Sequence, residues 1–122
     1  MAHVPILRQS DVIIVSIQES LSDRDMLELR ERILVELIRT RAGGVVIDVS
    51  AIDVLDSFAT RTLSETAGTV RMRGARTVVV GIQPEVALSM VLLGLTLSDV
   101  PTALDLDAGL HMLREQGARS HA

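Results

Sequence analysis

The chain has 122 residues, of which 48% are apolar and 23% charged, so it fits one globular domain and is too hydrophobic to be disordered. It contains no cysteine, which excludes disulfides, thiolate metal sites and cysteine nucleophiles. All 12 basic residues are arginines, so no lysine is available for a P-loop or a Schiff base. The net charge of −4 offers no excess of positive charge to neutralise phosphates, and we expect no nucleic-acid partner.

Segments rich in β-branched residues alternate with segments of helical period, which is the pattern of an α/β domain. A short edge strand is predicted at Val4–Leu7 and a second strand at Asp11–Gln18, and the two form a hairpin. Ser22 then caps a helix, and Asp25 completes a capping box. We expect Gly43–Gly44 to end this helix. Its predicted apolar face contains Met26, Leu27, Leu29, Ile33, Leu34, Leu37 and Ile38.

The rest of the chain continues the alternation of strands and helices. Gly74 and Gly94 are expected to end helices, because glycine is the usual residue after a helix C-terminus. The predicted elements are a strand at Val45–Val49, a helix at Ser57–Met72, a strand at Thr77–Val80, a helix at Pro84–Leu93, a strand at Thr102–Leu104 and a helix at Asp105–Gln116. We expect residues 1–117 to form the domain and residues 118–122 to be a flexible tail.

The most informative segment is DVLDSFATR, residues 53–61. It follows the carboxyl end of a central strand and opens a helix, where open α/β sheets present functional groups. Ser57 is a candidate helix N-cap, since serine is among the preferred capping residues. A phosphate on Ser57 is also compatible with this place, because free N–H groups and the positive end of the helix dipole accept anions.

Phosphorylation of Ser57 would change docking rather than folding. A phosphate adds about −1.5 to −2 charge beside two acidic residues, and the helix dipole offsets part of the repulsion. A partner that docks on the uncharged loop would then meet an uncompensated charge. By residue type Phe58 is more often a core side chain than a docking anchor. The expected partner contacts are Asp53, Asp56, Phe58, Thr60 and Arg61.

Enzymatic and metal sites receive little support from the sequence. A hydrolase that used Ser57 as its nucleophile would need a base, and no histidine occurs between His3 and His111. Asp53 and Asp56 are only a weak motif for a magnesium site, because acidic residues that follow a strand more often cap a helix or form a turn. The three histidines, including His121, show no metal-ligand spacing, and we expect His111 to be a solvated or half-buried helical residue. We therefore expect no enzyme, cofactor or metal.

The helix that begins at Pro84 is apolar on nearly all sides, and a sheet can cover only one of them. We expect its outer face to be an oligomer interface, with Leu88, Val91 and Leu92 as candidates. The apolar run Val86–Leu97 is too short to span a membrane. The N-terminal residues lack the pattern of an export signal, so a soluble cytoplasmic protein is expected.

Four segments resemble one known family over essentially the whole chain. They are VIIVSIQ at 12–18, GVVIDVSAIDVLDSFATRTL at 44–63, VVVGIQPEVALSMVLLGLTL at 78–97 and TALDLDAGL at 102–110. They are similar to STAS-domain anti-sigma factor antagonists, and more narrowly to the RsbS-type scaffold proteins of the bacterial stressosome. The segment DSF followed at this distance by GIQP is the specific part of the resemblance.

The resemblance implies an α/β fold with a single STAS domain, in which a small mixed sheet of four or five strands carries about four helices mainly on one side. It also implies a non-enzymatic scaffold that assembles with STAS co-antagonist paralogues and sequesters a serine/threonine switch kinase. Phosphorylation of Ser57 would release the kinase, and a phosphatase would restore the unmodified state. Without a sensory domain the chain would transmit a signal and not sense it. A simpler antagonist that binds an anti-sigma factor kinase without a large assembly is the alternative.

Overall fold

The structure, a computed structural model that describes residues 4–97 and 99–120, contains five strands and four helices within those residues. In chain order the elements are β1 (Ile6–Gln9), β2 (Val12–Ser16), α1 (Asp23–Thr40), β3 (Gly44–Asp48), α2 (Ser57–Met72), β4 (Arg76–Val80), α3 (Pro84–Leu92), β5 (Thr102–Ala103) and α4 (Leu106–Ser120). No helix in the described ranges is long and apolar enough to cross a membrane.

The strands form one mixed sheet in the order β1-β2-β3-β4-β5. β1 and β2 are an antiparallel hairpin, and β2 to β5 run parallel. Each parallel pair is joined by a crossover helix, as parallel strands require. The central strand β3 is buried on both faces, which explains its continuous run of β-branched residues. The predicted α/β fold with a small mixed sheet is confirmed.

The two faces of the sheet carry different numbers of helices. α1, α2 and α3 pack on one face, where Ile47 and Val79 belong to the larger hydrophobic core. α4 covers the other face, where Leu110 and Leu113 pack on Val46 and on two valines of β4. Three helices therefore share one side, as expected.

Glycine allows α4 to approach the sheet closely. A Cβ on Gly109 would lie 2.6 Å from a Val80 methyl, and one on Gly44 would lie 2.9 Å from a Leu113 methyl. Real Cβ atoms do not approach that closely. The Val80 side chain is β-branched and stiff, so alanine at position 109 would push the helix away from the sheet, whereas the Leu113 methyl is the end of a flexible side chain and can move aside. Gly109 thus sets the distance between α4 and the sheet.

Several helix boundaries differ from the prediction. The expectation that Gly43–Gly44 ends α1 is wrong: Arg41 adopts a left-handed conformation with φ 56°, and its N–H donates to Leu37 O at 2.8 Å. Gly44 is instead the first residue of β3. The capping box of Ser22 and Asp25 is present.

The ends of the chain also depart from expectation. β1 begins at Ile6 and not at Val4. α4 continues to Ser120, so its predicted end at Gln116 is too early, and residues 121–122 of the predicted tail lie outside the described residues. His111 is exposed and lies 3.1 Å from a carboxylate oxygen of Glu115. The other two histidines, at positions 3 and 121, lie outside the described part of the chain.

The apolar face of α1 is narrower than predicted. Met26, Leu29, Ile33 and Leu37 are buried in the core. Leu27 and Ile38, which were expected on the same face, are exposed. These two side chains lie about a quarter-turn away from the buried stripe, because successive helical residues are about 100° apart.

Candidate functional site

The segment that connects β3 to α2, residues 49–56, is called the Ser57 loop together with Ser57, the first residue of α2. It lies at the carboxyl end of β3, where the sequence placed it. Val49 N donates to Val80 O at 3.0 Å, and Ile52 N donates to Val49 O at 3.1 Å. Ile52 and Leu55 are buried in the main core. Backbone bonds and apolar anchors therefore hold the loop to the sheet.

A second segment supports the Ser57 loop from the β4–α3 connection. The side-chain amide of Gln83 donates to Ser50 O at 2.8 Å. Gly81 has φ +80°, and a Cβ there would lie 2.8 Å from the Ser50 Cβ. Only glycine fits this backbone conformation and this close contact. The GIQP segment thus contacts the first part of the loop that leads to the DSF segment at the start of α2.

Asp56, and not Ser57, is the N-cap of α2. Its backbone is extended, with φ −80° and ψ 179°, and its Oδ1 accepts the Ala59 N–H at 2.8 Å. The prediction that Ser57 is the cap is therefore wrong by one residue. Serine and aspartate are comparable caps, so the local sequence alone does not discriminate between them.

Ser57 is the first residue of α2 and is exposed to solvent. Its hydroxyl makes no hydrogen bond to any described residue, since the capping bond comes from its neighbour Asp56. The hydroxyl is thus accessible to a modifying enzyme and has no structural bond to lose. At this position a phosphate would lie beside the N–H groups of the first helical turn.

The other predicted contact residues divide into exposed and covered side chains. Asp53 and Arg61 are exposed, while Phe58 is half-buried and packs against the main core. Thr60 is only 3% exposed, and its Oγ1 donates to Asp56 O at 2.8 Å. The expectation that Thr60 contacts a partner is therefore wrong, because its hydroxyl is used to hold the first turn of α2.

Charges of both signs surround Ser57. Arg61 lies four residues further along α2, on the same side of the helix, and forms no ion pair with the described residues. Asp53 and Asp56 contribute two negative charges on the preceding loop. No group of three His, Asp or Glu side chains suited to a metal ion occurs within residues 4–97 and 99–120.

An apolar groove borders the Ser57 loop. It lies between the loop, α2 and the start of α1 and has a volume of about 90 Å³. Its apolar walls come from Ile17, Leu21, Met26, Leu55, Ala59 and Leu63. Sequence reasoning missed this groove, because its lining comes from two distant stretches of the chain, residues 17–26 and 52–63, which only the fold brings together.

The outer face of α3 is a separate apolar surface. Val86 and Met90 point inward and are buried, whereas Leu88, Val91 and Leu92 are between 59% and 76% exposed. The three predicted interface candidates therefore lie on the free side of the helix. Such a concentration of exposed apolar side chains is typical of contact surfaces.

Comparison with known proteins identifies the fold family. The STAS domain profile matches residues 3–108. The chain belongs to the STAS domain family. This STAS chain is 35% identical to a solved variant of RsbS from Moorella thermoacetica in which a serine is replaced by glutamate. The match covers 96% of this chain and 99% of that one, with a TM-score of 0.81.

Two further comparisons narrow the likeness. A chain from the solved molecular architecture of the stressosome, a signal integration and transduction hub, is 37% identical over 93% of this chain and 98% of that one, with a TM-score of 0.78. The RsbT co-antagonist protein RsbRA of Bacillus subtilis (strain 168) is 31% identical over 75% of this chain, which spans 33% of that protein. The predicted resemblance to RsbS-type anti-sigma factor antagonists is confirmed.

Proposed function

We propose that this STAS protein is a non-enzymatic cytoplasmic scaffold that holds a serine/threonine kinase and releases it when Ser57 is phosphorylated. The observation that carries the proposal is the accessible, unbonded Ser57 hydroxyl on a loop that Gln83 and Gly81 hold in place. A kinase can reach the hydroxyl without unfolding the chain. The likeness to RsbS, solved with a serine replaced by glutamate, supports this assignment.

The charges around Ser57 explain why a phosphate would alter docking and leave the fold intact. A phosphate of about −1.5 to −2 charge gains from the helix N-terminus and from Arg61 one turn away. It is repelled by Asp53 and Asp56, so these local effects oppose one another. A bound partner that covers the neighbouring apolar groove would have to exclude water from the phosphate, which is costly without a paired charge.

Assembly is the second part of the proposal. The exposed face of α3, with Leu88, Val91 and Leu92, would pack against other STAS subunits, either copies of this chain or co-antagonist paralogues. The likeness to a stressosome chain and to an RsbT co-antagonist supports such an assembly. A phosphatase would return Ser57 to its unmodified form, which makes the release reversible.

The decisive experiment compares kinase capture by the wild type, Ser57→Ala and Ser57→Asp. We expect capture by the first two and loss of capture by the third. Thr69→Asp is the matched control, because it adds one negative charge to the exposed side of α2 three turns away. If Ser57→Asp captures the kinase as well as Thr69→Asp does, the proposed switch is wrong.

Two further measurements test the remaining parts. Mass spectrometry after incubation with kinase and ATP should find phosphate on Ser57, and an unmodified Ser57 would contradict the proposal. Light scattering of a mixture with a co-antagonist STAS protein should show particles much larger than a dimer. Particles that never exceed a dimer would favour the simpler antagonist.

A further inference from the structure

A second cavity lies at the end of the sheet opposite the Ser57 loop. Arg76 begins β4 beside Gly44 at the start of β3, whereas the Ser57 loop follows the other end of β3. The cavity has a volume of about 140 Å³ and lies where α2, β4, the segment before β5 and α4 meet. A water molecule occupies about 30 Å³ in the liquid, so the space admits a small polyatomic ion.

The short strand β5 leaves this part of the sheet edge open. β5 pairs only with Val79 and Val80. Val79 N donates to Pro101 O at 3.0 Å, and Gly81 N donates to Ala103 O at 3.2 Å. Because alternate residues of a parallel strand donate to the same side, the N–H of Thr77 faces this edge, where no strand covers it.

The lining of the cavity contains several hydrogen-bond donors, together with the side-chain amide of Gln116, which carries both a donor and an acceptor group. Thr77 is only 5% exposed, and its Oγ1 is buried without a hydrogen-bond partner in the structure. Two guanidinium groups, those of Arg71 and Arg76, line the same space. Arg71 donates to the backbone O of Asp99 at 3.2 Å, and Arg76 has no ion pair with the described residues.

The charges of the lining favour an anion. Arg71 and Arg76 contribute two positive charges, against one negative charge from Asp99. No ion pair within 4 Å joins Asp99 to either arginine. A cation would be repelled, and an apolar ligand would leave the Thr77 hydroxyl unsatisfied. An oxyanion would accept hydrogen bonds from the hydroxyl and from the planar guanidinium groups, which match its geometry.

We propose that this cavity binds a small free oxyanion, of which inorganic phosphate is the representative. Arg76 and Arg71 supply charge and N–H donors, and the buried Thr77 hydroxyl supplies the innermost donor. The site is separate from Ser57 and does not depend on the proposed kinase switch. Its expected consequence is that the ion ties α2 to the open edge of β4 and stabilises the folded chain by binding to it.

The test is a titration with inorganic phosphate at constant ionic strength, followed by NMR amide shifts and by thermal unfolding. We expect saturable shifts centred on residues 76–77 and a rise in the unfolding temperature. Arg76→Gln and Thr77→Val should weaken binding at least tenfold. Arg73→Gln, which removes an exposed charge from the end of α2 outside the cavity, should bind as the wild type does.

Thr77→Val keeps the volume of the side chain and removes only the unpartnered hydroxyl. In phosphate-free buffer this variant should unfold at the wild-type temperature or above it, so its loss of binding would not reflect a damaged fold. Shifts that do not saturate, or that are equal in Arg73→Gln and Arg76→Gln, would show general ionic effects and overturn the proposal. Unchanged affinity in Thr77→Val would overturn the role of the hydroxyl.

Discussion

Removing the carboxylate of Asp56 should destabilise the fold, while removing the hydroxyl of Ser57 should not. Asp56 Oδ1 accepts the Ala59 N–H at 2.8 Å, so Asp56→Ala leaves a donor of the first turn of α2 without its side-chain acceptor. The Ser57 hydroxyl makes no such bond to the described residues. The two adjacent substitutions therefore separate the structural role of Asp56 from the proposed signalling role of Ser57.

The expected size of the effect follows from the cap. Loss of an aspartate N-cap costs about 1 kcal/mol, with a range of about 0.5 to 2 kcal/mol. Unfolding entropies near 60 °C are about 2.1 cal/mol/K per residue, which gives about 0.26 kcal/mol/K for 122 residues. Asp56→Ala should therefore lower the unfolding temperature by about 4 °C. Ser57→Ala should change the free energy of unfolding by less than about 0.5 kcal/mol.

Thermal and urea unfolding of the purified variants provide the measurement. Asp56→Asn is the control, because asparagine is a comparable cap without the charge. It should recover most of the stability lost in Asp56→Ala, and the small remaining difference would be the charge–dipole part. A Ser57→Ala variant that is less stable than Asp56→Ala would refute the assignment of the cap and, with it, the view that the Ser57 hydroxyl has no structural task.

Four other substitutions test the packing and the contact surface. Gly81→Ala should destabilise by about 1–3 kcal/mol in urea unfolding, because φ is +80° and the new Cβ would lie 2.8 Å from that of Ser50. Gly68→Ala, at an open helical position, should instead stabilise by up to about 1 kcal/mol. Gly109→Ala should cost about 1–3 kcal/mol, since its Cβ would overlap β4. Leu88→Arg, on an exposed side chain, should abolish large assemblies in light scattering without lowering the unfolding temperature.

The order and type of the elements could be predicted from the sequence, because apolar residues recur at a different spacing in helices and in strands. β-branched runs predict the buried strands β3 and β4, and Gly74 and Gly94 mark the ends of α2 and α3 with φ values of 83° and 70°. The extent of burial was harder to infer. Leu27 and Ile38 are as apolar as their buried neighbours, but each lies one residue, about 100°, past the buried stripe of α1 and is exposed.

The location of the site was predictable, but its internal roles were not. Ser57 stands at a strand end and a helix start, and both features are visible in a linear pattern. The choice of cap between Asp56 and Ser57 depends on the path of the loop, in which Ile52 and Leu55 are buried in the core. The cover over Thr60 likewise comes from the folded core and not from its neighbours in sequence.

Support for the Ser57 loop from the β4–α3 connection is relevant to the proposed effect of a phosphate on docking. The side-chain amide of Gln83 donates a hydrogen bond to the backbone O of Ser50, 33 residues earlier in the chain. Helical and strand periodicity do not predict a contact between residues so far apart in sequence. The loop is bonded to the β4–α3 connection at Ser50, and at its other end Asp56 caps α2. It would therefore have little freedom to rearrange if Ser57 gained a charge. A phosphate on Ser57 would therefore remain at the surface beside the apolar groove, where, in the proposed function, a docked partner would have to pair with it or dissociate.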